Sequence, residues 1–245
     1  MKKYFFPLVK NPYRSKDIFK AIKVLKTGKL TMGTNVSSFE KEFTSKLKTN
    51  YSLMVNSGSS ANLLAIQCLI NPYRKKRLKI GDEIIIPSLC WSTSLWPIVQ
   101  SGLKPIFVDI DKETLNINLA DLEKKITKKT KAFITVDLKG TPVDYEKFKK
   151  LSIKHKIYYI SDSAESFGAK YKKKIIGTQA DIHSFSFFAN KNITTGEGGA
   201  VTTNNKKIYE KLKIIRNQGQ DKRYNHVVLG NNYRMTDLCA SIGIT

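Results

Sequence analysis

Ser184-Phe185-Ser186-Phe187-Phe188-Ala189-Asn190-Lys191-Asn192-Ile193-Thr194-Thr195-Gly196-Glu197-Gly198-Gly199 decides how this chain is read. Apolar, β-type residues lead up to Lys191 and a Gly-rich turn follows it. A lysine in that setting stands at the mouth of a sheet. There it can be desolvated and made nucleophilic, as Schiff-base chemistry with a carbonyl cofactor requires. Taken singly, a lysine in so basic a chain reads as a solvated surface residue. The flanking pattern sets this one apart.

Outward from that run, short β-branched stretches alternate with helical ones, the pattern of an α/β domain with a mostly parallel sheet. The expected strands are 52–56, 82–87, 105–109, 132–136, 157–161, 182–187 and 200–203. The expected helices are 16–27, 36–47, 60–70, 92–100, 119–126, 145–155 and 206–216. A further helix begins after Thr236, a candidate N-cap, and has no clear end. Arg74-Lys75-Lys76-Arg77 follows Asn71-Pro72 and reads as a solvated loop. No internal repeat or low-complexity linker interrupts the pattern.

The 245 residues, 41% hydrophobic and 10% aromatic, can bury a good core in one large domain. No stretch approaches ~20 uninterrupted apolar residues, so no membrane span is expected. The N-terminus opens like a signal peptide, but Pro7 and Lys10 cut its apolar run short and no small-residue cleavage site follows, so the chain reads as cytoplasmic. Cys68, Cys90 and Cys239 suggest neither a disulfide framework nor a zinc site and read as buried or neutral thiols. His155, His183 and His226 form no pattern with carboxylates or cysteines. They read as structural or surface residues, with no metal. The net charge of +23 invites a nucleic-acid reading. The lysines are spread along the whole chain, however, and no nucleic-acid motif accompanies them. A field favourable to an anionic small molecule fits better.

Four segments hold candidate site residues. Asp162 follows the strand 157–161, at the carboxyl end where ligands of open α/β sheets bind, and would equally cap a helix starting at Ser163. Asn56-Ser57-Gly58-Ser59-Ser60-Ala61-Asn62 joins a strand to a helix N-terminus, a phosphate cradle or a plain serine cap. Trp91 follows the strand 82–87, placed to stack on a flat ligand or to serve as a core or interface tryptophan. Gly230-Asn231-Asn232-Tyr233-Arg234-Met235 reads by itself only as a loop.

Together these segments, with the lysine run, resemble the sugar aminotransferases that use pyridoxal phosphate, the DegT/DnrJ/EryC1 family of fold-type I. Ser161-Asp162-Ser163-Ala164-Glu165-Ser166-Phe167-Gly168-Ala169 is similar to the family's Glu-Asp-Ala-Ala-Gln-x-x-Gly-Ala. Ser161 departs from the family by replacing the common acid, and Glu165 replaces the commonest glutamine; a glutamate at that point resembles the perosamine-synthase subset and hints at GDP-linked sugars. The resemblance implies an aspartate-aminotransferase-like large domain, three layers α/β/α, over 36–245, with an N-terminal arm over 1–35. It implies a small C-terminal domain of ~100 or more residues absent or truncated here. The cofactor it implies is pyridoxal 5'-phosphate, bound covalently by the catalytic Lys191. Ser59, Ser60 and Ser186 would hold its phosphate, Asp162 its ring nitrogen, and Trp91 and Glu165 would flank its ring. Asn232 would reach the phosphate of a partner subunit, making a homodimer with shared sites. The implied substrates are an amino donor, glutamate in most of the family, and a nucleotide-linked keto-sugar of surface polysaccharide biosynthesis. Neither nucleic acid nor membrane is implied as a partner. Thr27-Gly28-Lys29-Leu30-Thr31-Met32-Gly33 resembles a family turn near the substrate.

Two other readings stand beside this one. Sugar 3-dehydratases share the segments 56–64 and 102–109 but carry histidine where this chain has Lys191. A non-catalytic, truncated family member is the other.

Overall fold

The computed structural model describes residues 9–10, 12–31, 33–70 and 77–245. The signal-like residues 1–8, the basic residues 74–76 and Met32 of the 27–33 segment lie outside the described residues.

In chain order the elements are α1 (Ser15–Thr27), α2 (Thr34–Leu47), β1 (Tyr51–Val55), α3 (Gly58–Ile70), β2 (Glu83–Pro87), α4 (Ser92–Gln100), β3 (Lys104–Val108), α5 (Leu119–Lys124), β4 (Thr130–Val136), α6 (Tyr145–His155), β5 (Tyr158–Asp162), β6 (Lys170–Tyr171), β7 (Lys174–Ile175), β8 (Ile182–Ser186), β9 (Gly199–Thr203), α7 (Lys206–Arg216), β10 (Gln220–Lys222), β11 (Asn225–His226) and α8 (Asp237–Gly243). All seven expected strands form, within a residue or two of their expected bounds, and they join one sheet in the order β1-β9-β8-β5-β4-β2-β3. β9 pairs antiparallel with both β1 and β8. The other four pairings in the sheet are parallel, so six strands share one direction. Their carboxyl ends therefore lie along one edge, the edge where open α/β sheets bind ligands.

Helices cover both faces. A core of Leu64, Ile66, Leu69, Ile84, Ile160, Ile182 and Leu212 joins α3 and α7 to one face of the sheet. On the other face Phe133, Phe148, Leu151 and Tyr159 pack under α5 and α6. Phe39 and Phe43 of α2 meet Phe185 and Phe187, ring to ring at 5.4–5.5 Å for three of the pairs. Buried aromatics of this size contribute ~1.5–3 kcal/mol each from area alone. The run through Ser184, Phe185, Ser186 and Phe187 is explained by this layering. Successive side chains point to opposite faces, so the phenylalanines feed the α2 core while the serines face α3.

Thr236 caps α8 as expected, its hydroxyl accepting from the amide of Cys239 at 3.2 Å. Asp237, buried in the first turn of α8, accepts from the amides of Gly33 and Val36 at 2.8 and 3.1 Å. This ties the start of α2 to α8. Among the described residues no helix is long and apolar enough to cross a membrane.

Candidate active site

The carboxyl ends of β5, β4 and β8 and the N-terminus of α3 surround a pocket of about 570 Å³. Ser57, Gly58, Ser59, Asn62, Trp91, Asp162, Glu165, Ser186 and Lys191 all line it. A volume of that size suits a small cofactor together with part of a substrate.

Asp162 is the last residue of β5 and is 4% exposed. One carboxylate oxygen accepts from Asn62 Nδ2 at 2.8 Å and from Ser94 Oγ at 2.6 Å. The other accepts from the amide of Ala164 at 3.2 Å. These bonds fix its orientation without neutralising it. Among the described residues no lysine, arginine or histidine pairs with it. A buried carboxylate without a cation is costly unless something positive meets it. The pocket side of Asp162 therefore suits a protonated nitrogen on a ligand.

Gly58 and Ser59 open α3, a helix of 13 residues. Ser57 caps it: its hydroxyl accepts from the amide of Ser60 at 3.0 Å and lies 3.0 Å from Ser60 Oγ. Ser60 is thus held at this cap, beside Ser57, and is not among the residues that line the pocket. Helix-end amides and the hydroxyls of Ser59 and Ser186 remain at the pocket, a setting that favours an anion. Gly58 is required by proximity: a Cβ there would stand 2.6 Å from Ser186 Cβ.

Lys191 lies in the loop that carries the chain from β8 to β9. Its amide donates to Phe188 O at 3.0 Å, and Phe187 bonds both Gly198 and Thr195. The side chain is 21% exposed and Nζ stands 3.3 Å from Glu165 Oε1. Glu165 Oε2 accepts from the amide of Lys139 at 2.7 Å, just after β4. Burial and the nearby Asp162 charge push the Cys90 thiol on the pocket wall up to about 11, so it is neutral near pH 7. Trp91 stands at the mouth, 74% exposed. Asn232 is exposed and outside this pocket, its Oδ1 accepting from Arg234 Nε at 2.9 Å.

Residues 13–245 match the model of the DegT/DnrJ/EryC1/StrS aminotransferase family. The chain belongs to this family. It is 42% identical over 214 residues to GDP-perosamine synthase of Escherichia coli O157:H7, covering 86% of this chain and 57% of that one. It is 37% identical over 258 residues to GDP-4-keto-6-deoxy-D-mannose 3-dehydratase of Yersinia pseudotuberculosis, covering 98% of this chain and 65% of that one. The chain thus spans about 57–65% of the length of these curated relatives. The E. coli 3-dehydratase with bound hydrated PLP superposes with a TM-score of 0.91 at 36% identity, over 98% of this chain and 66% of that one. PseC of Helicobacter pylori, an aminotransferase involved in the biosynthesis of pseudoaminic acid, does so with a TM-score of 0.89 at 31% identity, over 98% and 64%. The family fold of a mostly parallel seven-stranded sheet between helices is therefore this chain's fold.

Of the expected site residues, the fold gathers Ser59, Trp91, Asp162, Glu165, Ser186 and Lys191 in one pocket and leaves Ser60 and Asn232 outside it. Sequence reasoning passed over Ser94, which lies 68 residues from the Asp162 carboxylate it binds. A serine on the buried side of an otherwise apolar helix was the available signal. Among the described residues no group of three or more His, Cys, Asp or Glu is placed to hold a metal.

Proposed function

We propose that this pocket holds pyridoxal 5'-phosphate and that the protein transfers an amino group to a keto-sugar carried on a nucleotide, for a surface polysaccharide. The observation that carries the reading is the convergence of a lysine amine, an uncompensated buried carboxylate and a helix-end anion cradle on one pocket. When bound, the cofactor supplies an aldehyde that takes up amines and a protonated ring that draws electrons from the bond being broken. Lys191 Nζ would supply the amine that fixes the cofactor and, when free of it, would carry a proton between cofactor and substrate carbons. Asp162 keeps a proton on the ring nitrogen, and Asn62 and Ser94 hold that carboxylate in place. Ser59, Ser186 and the first amides of α3 take the phosphate. Glu165 holds Lys191 Nζ from the side.

The amino donor is glutamate, as in most of the family, and Glu165 in place of glutamine supports a GDP-linked sugar. Relatives named for GDP-perosamine synthesis and for spore coat polysaccharide biosynthesis support the pathway class. Exposed Leu89 and Trp91 at the pocket mouth, with Trp96 nearby, support a second copy packed there, to whose site Asn232 would reach.

Sugar 3-dehydration is the second reading, favoured by a dehydratase relative that aligns with 98% of the chain. The lysine at 191, where that class carries histidine, weighs against it. Incubating the protein with glutamate and GDP-4-keto-6-deoxymannose separates the two. Amino transfer gives a GDP-amino-sugar and one 2-oxoglutarate per sugar. Dehydration gives a sugar that has lost its 3-hydroxyl and gained no nitrogen. The latter product alone would overturn the proposal.

A further inference from the structure

The strand ends that present Asp162 to the pocket present a second polar cluster to the opposite face of the sheet. Val136 and Leu138 line the pocket, and Asp137 between them points the other way, fully buried. Ser161 and Ser163 flank Asp162 and turn away from the pocket for the same reason of strand alternation. Here Asp137 Oδ2 accepts from Tyr145 OH at 2.6 Å, Ser166 Oγ at 2.7 Å and Ser163 Oγ at 3.4 Å. Its Oδ1 accepts from the amide of Val143 at 3.2 Å.

The direction of the hydrogens can be followed. His183 Nε2 accepts from the amides of Ala180 and Gln179 at 2.9 and 3.1 Å, so it carries no proton. The proton of the neutral ring is on Nδ1, which donates to Ser163 Oγ at 3.0 Å. Ser163 then has its own hydrogen to give to Asp137. Tyr145 accepts from Ser161 Oγ at 2.8 Å while donating to Asp137. Both chains of donors, His183 through Ser163 and Ser161 through Tyr145, end on one carboxylate.

Those donors sit on the segment that carries the site. Ser161, Ser163 and Ser166 bracket Asp162 and Glu165. The segment is held on its other side by the turn after Asp137, where Lys139 N binds Glu165 Oε2. At Gly140, in the left-handed region with φ +76°, a Cβ would stand 3.0 Å from Glu165 O. Asp137 is thus at the root of both contacts.

We propose that Asp137 is a positioning residue: its carboxylate, acting through Ser163, Ser166 and Tyr145, holds the turn that sets Glu165 beside Lys191. It touches neither the pocket nor any group in it. Its catalytic consequence rests on the amino-transfer reading above; its structural consequence does not. Burial pushes this carboxyl up, to about 6, against the pull of its hydroxyl donors. It is therefore ionised, and a full acceptor, at the pH of an ordinary assay.

The test compares wild type with Asp137→Asn, which keeps the size but turns one acceptor into a donor facing donors. Amide hydrogen exchange is read at pH 8 on the cofactor-free protein. The buried amide of Ser166, bonded to Ser163 O at 3.1 Å, and that of Ala169, bonded to Ser166 O at 3.0 Å, report the turn. Both should exchange about tenfold faster or more, while those of Phe133 and Ile160 in the neighbouring strands hold their rates. The melting temperature should stay within a few degrees. In the loaded enzyme kcat should fall about tenfold or more with KM for glutamate little changed, the mark of lost alignment. Unchanged exchange at Ser166 and Ala169 would overturn the proposal. So would acceleration spread over the whole sheet with a matching loss of melting temperature, which marks a merely structural residue. Local acceleration in a protein whose wild type shows no amino transfer would uphold the positioning and refute the function. If Asp137→Asn does not fold, Ser166→Ala and Tyr145→Phe each remove one donor. Both should give a smaller local acceleration, and none in either would refute the role.

Discussion

At the scale of single residues, two buried groups pull stability in opposite directions with pH. Burial, reinforced by the Lys149 charge, pushes the His183 imidazole down to about 3. The unfolded chain binds a proton there between about pH 6.5 and 3 that the folded chain does not, so this residue makes stability fall as the solution is acidified. Asp137 is raised to about 6. Here the folded chain holds the proton that the unfolded chain has lost, so stability rises as pH falls from about 6 to 4. Each slope is about 1.4 kcal/mol per pH unit, and between about pH 4 and 6 the two cancel. Denaturant titrations at several pH values test this. Asp137→Asn should become steeply less stable than wild type on acidification through that window, and His183→Phe steeply more stable. Parallel curves for all three proteins would show that neither group titrates as its surroundings dictate.

At the scale of elements, the alternation of β-branched and helical runs was enough to find the sheet, because each strand carries its own apolar signature. Bounds were less legible. α3 starts at Gly58, two residues before the expected 60, because Ser57 and not a later serine caps it. The short ladders β6–β7 and β10–β11 have only two or three residues each and no periodicity to read. Lys191, Asp162 and Ser186, which line one pocket, were legible as candidates from local pattern and resemblance. The hold of Asn62 and Ser94 on Asp162 was not, since it depends on which helix the sheet order brings alongside β5. The cluster around Asp137 was hidden for a similar reason. Its members come from β5, β8, α6 and the segments that follow β4 and β5, and only the assembled sheet turns them to one side. The seat of α3 on β8 gives an element-scale prediction. Gly58→Ala would drive a methyl group to 2.6 Å from Ser186 Cβ, so the helix end must shift. Cofactor affinity, followed by fluorescence titration, should weaken by at least about tenfold, roughly 1.4 kcal/mol. The melting temperature should change much less. Unaltered affinity would mean that the phosphate does not sit at this helix end.

At the scale of the whole molecule, the chain presents large apolar side chains to its surroundings, among them Trp91, Trp96, Val99 and Phe107. Asn232 stands outside its own pocket. If it serves a partner's pocket, an inactive Lys191→Ala chain mixed with an inactive Asn232→Ala chain should regain activity, because one site of the mixed dimer carries neither change. No recovery despite proven subunit exchange would make Asn232 a loop residue. The central claim, that one lysine among so many is the cofactor's anchor, has a more direct test. The protein is loaded with pyridoxal phosphate, reduced with borohydride and digested, and the modified peptides are read by mass spectrometry. The expected result is a yellow protein, absorbing near ~410–430 nm, that bleaches on reduction and carries the reduced cofactor on Lys191 alone. Label on another lysine, or no stable label on a loaded protein, would contradict the account.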